Sequence, residues 1–187
     1  LMQSTLGRIE WIDSLPSCQR LANHLGWELI VVRRKAGDMI ARWQQRWANN
    51  VARYANLECV KMILPWATPT MRFCSSEMKV QILASELNRR FTNVPILNIT
   101  GIRWQESTAR SRMPVSTVSS KLDKKNRKSL TWNAIIDWRI EEVFSEVQSA
   151  GLELHEAYRV YGSSRVSCSF CIMSSGPDML AASGCED

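Results

Sequence analysis

The chain has 187 residues, of which 45% are hydrophobic and 22% are charged. This balance is typical of one globular domain and excludes disordered, collagen-like and low-complexity proteins. With no apolar run of membrane-spanning length and no N-terminal signal peptide, we expect a cytoplasmic protein without a membrane partner. The net charge is +6, and the segment 101–139, with nine basic and three acidic residues, accounts for the whole excess. This local excess favours a phosphate-bearing partner.

The first hundred residues alternate between predicted strands and helices. Ser14 and Pro16 are typical of a helix start, and Gly26 is typical of a helix end. The predicted elements are a strand at Arg8–Ile12, a helix from Ser14 to Gly26, a strand at Glu28–Val32, a helix over 40–54, a loop at Pro65–Pro69, a helix over 80–91 and a strand at Val94–Thr100.

The second half gives fewer elements. The polar and basic stretch Met113–Leu130 predicts a loop or hairpin, and the apolar stripe from Trp132 to Val147 predicts a helix that closes at Gly151. Alternating strands and helices predict an α/β layer fold with a mainly parallel sheet.

Four of the six cysteines are candidate metal ligands. Cys168 and Cys171 form a C-x-x-C pair, Cys74 stands just before a predicted helix, and Cys185 follows the pair by fourteen residues. Four thiolates match an iron–sulfur cluster or a structural zinc site. A redox pair and buried structural thiols remain alternatives for the C-x-x-C pair.

The other cysteines and the histidines carry less information. Cys18 and Cys59 fall in predicted secondary structure, which favours packing in the core. His24 and His155 are far apart in sequence, and no Ser–His–Asp pattern accompanies them.

Two basic segments are candidate binding sites. The loop that begins at Gly101 follows a predicted strand and carries Arg103 and Arg110, which suit phosphate or sulfate oxygens at the end of a sheet. The run Lys121–Lys128 could contact nucleic acid. A solvated charged loop is the alternative interpretation of both segments.

Four motifs in this order resemble the phosphoadenosine phosphosulfate reductase family, in particular its phage and mobile-element branch. They are R-F-C-S-S-E-M-K at 72–79, G-I-R-W-Q-E-S-T-A-R at 101–110, W-N-A-I-I-D-W at 132–138 and H-E-A-Y-R-V-Y-G-S-S-R-V-S-C-S-F-C at 155–171. The resemblance extends over roughly residues 6–185. It implies a doubly wound, mainly parallel α/β fold of the adenine nucleotide alpha-hydrolase (Rossmann-like) type.

The resemblance also implies a substrate and a cofactor. The substrate is an adenine nucleotide, either ATP or a sulfated adenylate, and the cofactor is a four-iron cluster, with zinc as the alternative. Together with the residue pattern it assigns the nucleotide site to Gly101, Arg103, Glu106, Ser107 and Arg110. The resemblance implies Cys74, Cys168, Cys171 and Cys185 as the metal ligands.

The chain departs from the family pattern at three places. No phosphate-binding S-G-G-x-D-S loop precedes Arg8, no E-C-G-L-H motif follows Cys171, and Ser75 stands where cluster-containing members have a second cysteine. We therefore expect a fragment of a longer single domain that is catalytically inactive as given. The catalytic residues are not identified.

Three functions are compatible with these observations. The first is an enzyme that reduces a sulfonucleotide or transfers sulfur at the expense of ATP. The second is a sulfur-transfer protein of the DNA-phosphorothioation type, which the basic run at 121–128 favours. The third is a non-catalytic accessory subunit that retains the fold and cluster. Partner proteins of a sulfur-transfer system are also expected.

Overall fold

The chain combines helices with small parallel and mixed sheets, which is compatible with the predicted α/β class. The structure, a computed structural model, describes residues 1–185. Unit 1 contains residues 1–83 and the chain from His155 onward, and unit 2 contains Ala84–Leu154. No helix within the described residues is long and apolar enough to cross a membrane.

A parallel β-α-β element begins unit 1. Strand β1 (Met2–Thr5) pairs in parallel with β2 (Ile30–Arg33), and helix α1 (Ser14–Leu25) connects them. Gly26 ends α1 in the left-handed conformation, with φ of 64°. Glycine adopts this conformation without a steric penalty, so the helix ends where the sequence predicted.

The predicted strand at Arg8–Ile12 is wrong, because these residues form turns between β1 and α1. Their alternation has another cause. Ile9 and Trp11 are 4% and 3% exposed, and they enter two different hydrophobic clusters. An alternating pattern reports which side chains are buried, and a turn can bury them as a strand does.

Helix α2 (Met39–Ala55) matches the predicted stripe over 40–54. Asp38 caps it, since its side chain accepts a hydrogen bond of 2.9 Å from the Ala41 N–H. The Arg8 guanidinium donates to both Asp38 oxygens and lowers the pKa of that carboxyl to about 2. The capping carboxylate is therefore ionised throughout the physiological pH range.

Unit 1 continues through short helical segments around its main core. These are α3 (Phe73–Ser75), a π-helix (Ser76–Val80) and the start of α4 (Gln81–Arg90). The buried core consists of Leu6, Ile9, Met39, Ala67, Phe73 and Met78, which we call the main core.

The chain returns to unit 1 through α6 (Glu156–Arg159) and α7 (Gly176–Ser183). Asp13 N–H donates to the Glu156 carboxylate over 2.9 Å, and Glu156 N–H donates to the Asp13 carboxylate over 3.1 Å. This reciprocal pair fixes the returning chain against the start of α1.

Unit 2 contains a three-stranded sheet with the order β3-β5-β4. Strand β3 (Ile96–Thr100) pairs in parallel with β5 (Ser129–Asn133), and β4 (Ser116–Val118) pairs with β5 in the antiparallel direction. Helix α5 (Ile140–Ser149) follows.

The predicted helix over Trp132–Val147 is wrong in its first part. Trp132 lies in β5, the residues 134–138 form turns, and α5 begins at Ile140. The apolar residues of this stretch have helical spacing, but they lie in a strand, a turn and then a helix. The spacing therefore does not indicate one continuous helix here.

His155 is a structural residue at the start of α6. Its Nδ1 accepts the Ala157 N–H over 3.1 Å, so the neutral ring carries its proton on Nε2. That nitrogen lies 3.3 Å from the Ser14 hydroxyl and therefore donates to it. Because Nε2 already holds a proton, His155 cannot act as the base that activates Ser14.

We expect His155 to make the protein less stable as the pH falls. Burial lowers its pKa, although Asp13 and Glu156 oppose the shift. The unfolded chain then binds more protons than the folded chain below about pH 6.5, so the free energy of unfolding decreases with decreasing pH. Urea unfolding should show that His155→Asn removes part of this dependence and that His24→Asn, at an exposed position, does not. Equal pH profiles for the wild type and His155→Asn would contradict the assignment.

Candidate functional site

Two separate segments bring cysteines to the main core of unit 1. Cys74 lies in α3, and Cys168 lies in a tight turn in which the Cys171 N–H donates to its carbonyl over 3.2 Å. Ser169 fixes this turn, because its N–H and its hydroxyl both donate to the Ile9 carbonyl, over 2.9 and 3.0 Å. Cys74 and Cys168 both pack against the main core.

The three thiols also interact electrostatically. Burial, with smaller contributions from the neighbouring Cys171 and Cys74 thiols, raises the pKa of the Cys168 thiol to about 12. Cys168 is therefore a neutral thiol at physiological pH in the metal-free protein. A metal ion that binds there has to displace its proton.

Two charged residues near the thiols were not identified from the sequence. Lys79, in the π-helix, lowers the pKa of Cys168, and Glu10 raises it. Burial raises the pKa of Glu10 itself, and Lys79 opposes that shift. The sequence could have indicated Lys79, since it belongs to the same motif at 72–79 as Cys74. π-Helical turns are frequent at functional sites.

Cys185 packs elsewhere in unit 1. It lies against a second cluster of buried residues that includes Trp11, Ala157 and Ala182. Within residues 1–185, no group of three or more His, Cys, Asp or Glu side chains is arranged to hold a metal ion. The four-cysteine ligand set therefore stays a prediction.

The chemistry of the thiol site nevertheless fits a thiophilic metal. Cys74 and Cys168 come from two segments that pack against one buried core, Cys171 lies in the same turn as Cys168, and Lys79 interacts electrostatically with the Cys168 thiol. Cys74, Cys168 and Cys171 are thus the residues that could hold a metal or cluster. Cys18 lies in α1, where its thiol contacts Gln3, and Cys59 lies outside helices and strands, contrary to the prediction.

In unit 2, the loop 101–112 begins at the carboxyl end of β3. Thr100 and Asn133 end the parallel strands β3 and β5, and the Thr100 hydroxyl donates to the Asn133 side chain over 2.7 Å. The Trp104 N–H donates to the Ile136 carbonyl over 2.8 Å. Because the strands are parallel, the loops that follow them share one edge of the sheet, where α/β proteins bind ligands.

The charged residues of this loop pair with one another. The Glu106 carboxylate contacts the guanidinium groups of Arg103, over 3.7 Å, and of Arg110. The Ser107 hydroxyl accepts the Arg110 N–H over 3.2 Å. Gly101 has an ordinary backbone conformation, and an added Cβ would come no closer than 3.8 Å to Ile135. The arginines converge on one point, and Glu106 occupies it.

The basic segment 121–128 is partly structural. Arg127 is 3% exposed, and its guanidinium donates to the carbonyls of Leu122 and Phe91 and to the Asn88 side chain. Arg127 therefore anchors the hairpin and cannot contact a nucleic acid. The lysines of the segment are exposed, namely Lys121, Lys124, Lys125 and Lys128.

Comparison with known proteins adds no assignment. No protein-family model and no curated protein matches the chain.

We expect Cys168 to be alkylated more slowly than Cys59. Its raised pKa leaves little thiolate, which is the form that reacts with iodoacetamide. A time course at neutral pH, followed by peptide mass spectrometry, should show Cys59 modified well before Cys168 in the folded protein. In urea the two rates should become similar, which controls for local sequence. Faster modification of Cys168 in the folded protein would contradict its burial as a neutral thiol.

Proposed function

We propose that the chain is an adenine-nucleotide protein of the phosphoadenosine phosphosulfate reductase type, with a cysteine-held iron–sulfur cluster. The observation that supports this proposal is that Cys74 and Cys168, more than ninety residues apart in sequence, pack against the same buried core, with Cys171 in the same turn as Cys168. The reaction is sulfonucleotide reduction or ATP-dependent sulfur transfer.

Cys74, Cys168 and Cys171 would hold the cluster in this proposal. When bound, an iron–sulfur cluster would supply electrons near a sulfur substrate. The protein itself supplies the three partly buried thiols and places the Lys79 ammonium where it acts on Cys168. That ammonium favours ionised thiols, which are the form that binds metal. Zinc is the alternative occupant.

The nucleotide site belongs to the loop 101–112 in this proposal. Arg103 and Arg110 meet at a carboxylate, and an oxyanion of a nucleotide or sulfate has the same charge and a similar size. Guanidinium groups bind such oxyanions through two parallel hydrogen bonds. Glu106 then acts as an internal competitor that the ligand displaces.

A doubly wound sheet of the nucleotide-hydrolase type completes the proposal. Each unit contains a parallel strand pair, β1–β2 in unit 1 and β3–β5 in unit 2, and parallel pairing is what such a fold requires. Parallel strands in α/β folds present their carboxyl ends to the ligand.

A sulfur-transfer role on DNA is the second candidate. The four exposed lysines of the segment 121–128 favour it, because they lie on one hairpin that Arg127 anchors. Each lysine that contacts a phosphate would add to the salt dependence of DNA binding.

We expect the cluster to depend on Cys168. The protein should bind iron and sulfide after anaerobic reconstitution, and Cys168→Ser should lose most of the iron, because serine is a poor ligand for this type of cluster. Iron and sulfide analysis with an absorption spectrum is the measurement, repeated with zinc alone. Cys59→Ser is the matched control and should bind as the wild type does. Full iron content in Cys168→Ser would refute the ligand assignment, and Cys185→Ser decides whether the fourth thiol contributes.

We expect opposite effects from two substitutions in the loop. Arg110→Ala should weaken binding of ATP or adenylyl sulfate about tenfold, since a charge-assisted hydrogen bond is lost. Glu106→Gln should strengthen it, because the internal competitor loses its charge. Calorimetric titration gives both affinities, and Arg112→Ala, an exposed arginine in the same loop, is the control. Equal affinities in all four proteins would remove the nucleotide site from this loop.

A further inference from the structure

The apolar stripe of α2 extends beyond the main core. Trp43, near the start of the helix, packs against that core. Further along the same stripe, Trp47 and Val51 are each 41% exposed, and Tyr54 is 49% exposed. The second half of α2 therefore presents an apolar face that no described part of unit 1 covers.

The segment after α2 lies along one flank of this stripe and enlarges it. The Asn50 amide donates to the Ile63 carbonyl over 2.6 Å, and the Arg46 guanidinium donates to the Pro65 carbonyl over 3.0 Å. Residues four apart lie on the same side of a helix, so these two bonds hold the segment parallel to the helix axis. Together the exposed apolar side chains form one surface, which we call the α2 ridge. It consists of Trp47, Val51, Tyr54, Leu57, Val60, Met62, Ile63 and Leu64.

Leu57 joins α2 to this segment in a backbone conformation that favours glycine. Its φ is 58°, and its side chain is 91% exposed. The Leu57 N–H donates to the Tyr54 carbonyl over 3.1 Å, and the Glu58 N–H donates to the Arg53 carbonyl over 2.9 Å. Glycine is the usual residue in a helix end of this kind, because a Cβ is disfavoured there. A large apolar side chain kept at this position, in solvent, is explained if it contacts another molecule.

The charges of α2 leave the ridge free to meet a second copy of itself. The helix carries three arginines, and each has a partner within unit 1. Arg42 pairs with Glu77 over 2.8 Å and Arg53 with Glu58 over 3.7 Å, while Arg46 is held by the segment after α2. Since these arginines are engaged, they neither require an acidic partner nor make two ridges repel each other strongly.

The size of the α2 ridge matches what a stable dimer needs. Its eight side chains, at their exposed fractions, leave on the order of 1,000 Å² in contact with solvent, comparable with the roughly 800 Å² that each partner buries in a standard interface. An exposed apolar surface of this extent marks an interaction site, and tryptophan and tyrosine are the residues that contribute most at such sites.

We propose that the α2 ridges of two copies pack against each other, antiparallel, around a two-fold axis. In such an interface both copies use the same surface. Val51 lies near the middle of the exposed stripe, so the axis passes close to it, and Trp47 of each copy faces Tyr54 of the other. Aromatic pairs of this kind add to the free energy of burial. The contact involves unit 1 alone.

Sedimentation equilibrium of the full chain, with paired substitutions at Val51, tests this dimer. Val51→Arg and Val51→Glu should each weaken dimerisation about a hundredfold, because like charges then meet at the axis. A one-to-one mixture of the two variants should associate again, because opposite charges then meet there. Added salt should leave the wild-type dimer intact or strengthen it, since the contact is apolar and salt screens the like charges of Lys61. Val160→Arg, at an exposed valine outside the ridge, is the control and should dimerise as the wild type does.

Leu57→Gly separates association from folding. We expect it to weaken the dimer about tenfold, because an exposed apolar contact is lost. Urea unfolding at a concentration where the protein is monomeric should show an unchanged or raised midpoint, because glycine adopts this backbone conformation without strain. A variant that loses both the dimer and the urea midpoint would show that Leu57 is needed for the fold of the monomer, and would remove this support from the proposal.

Three results would overturn the proposal. They are a wild-type monomer at all concentrations, a dimer that neither charge at Val51 weakens, and variants whose mixture fails to associate. Phosphatidylcholine vesicles form a second arm of the experiment. Monomeric protein that sediments with these vesicles, and loses this binding in Val51→Arg, would assign the α2 ridge to a lipid surface instead of a second copy.

Discussion

The reciprocal hydrogen bonds between Asp13 and Glu156 are the constraint on which unit 1 depends. They join residues 143 positions apart, and each residue both donates and accepts. Once this pair is closed, the chain beyond it runs back along the turns between β1 and α1, where Ser169 reaches the Ile9 carbonyl. The turn that carries Cys168 is placed beside Cys74 by these contacts, and the thiols themselves supply no attraction that could do so.

Sequence patterns predicted correctly those helices that are determined by residues within the helix itself. Helix α1 ends at Gly26 because the left-handed conformation is local, and α2 follows from a stripe that a single helix face explains. The strand predicted at Arg8–Ile12 failed because Ile9 and Trp11 are buried by contacts with distant segments. Periodicity shows that a side chain is buried and leaves open which partner buries it.

The residues of the candidate site also fall into those that the sequence predicts and those that it does not. Cys74, Cys168 and Cys171 were predicted as ligands from the sequence because cysteine chemistry is specific, whereas the packing of Cys74 and Cys168 against one core of unit 1 is seen only in the structure. Lys79 was missed, since a lysine in a helix is ordinary until its neighbours are known. Arg127 was counted as part of a basic surface because its charge is local, whereas its burial depends on carbonyl groups that are distant in sequence.

The π-helix at Ser76–Val80 sets the rotation of Cys74 relative to α4. A π-turn accommodates one more residue than an α-helical turn, and each residue of an α-helix advances the rotation by about 100°. Deleting one residue between Phe73 and Gln81 would restore a regular helix and rotate Cys74 by about 100° relative to α4, away from the core that it shares with Cys168.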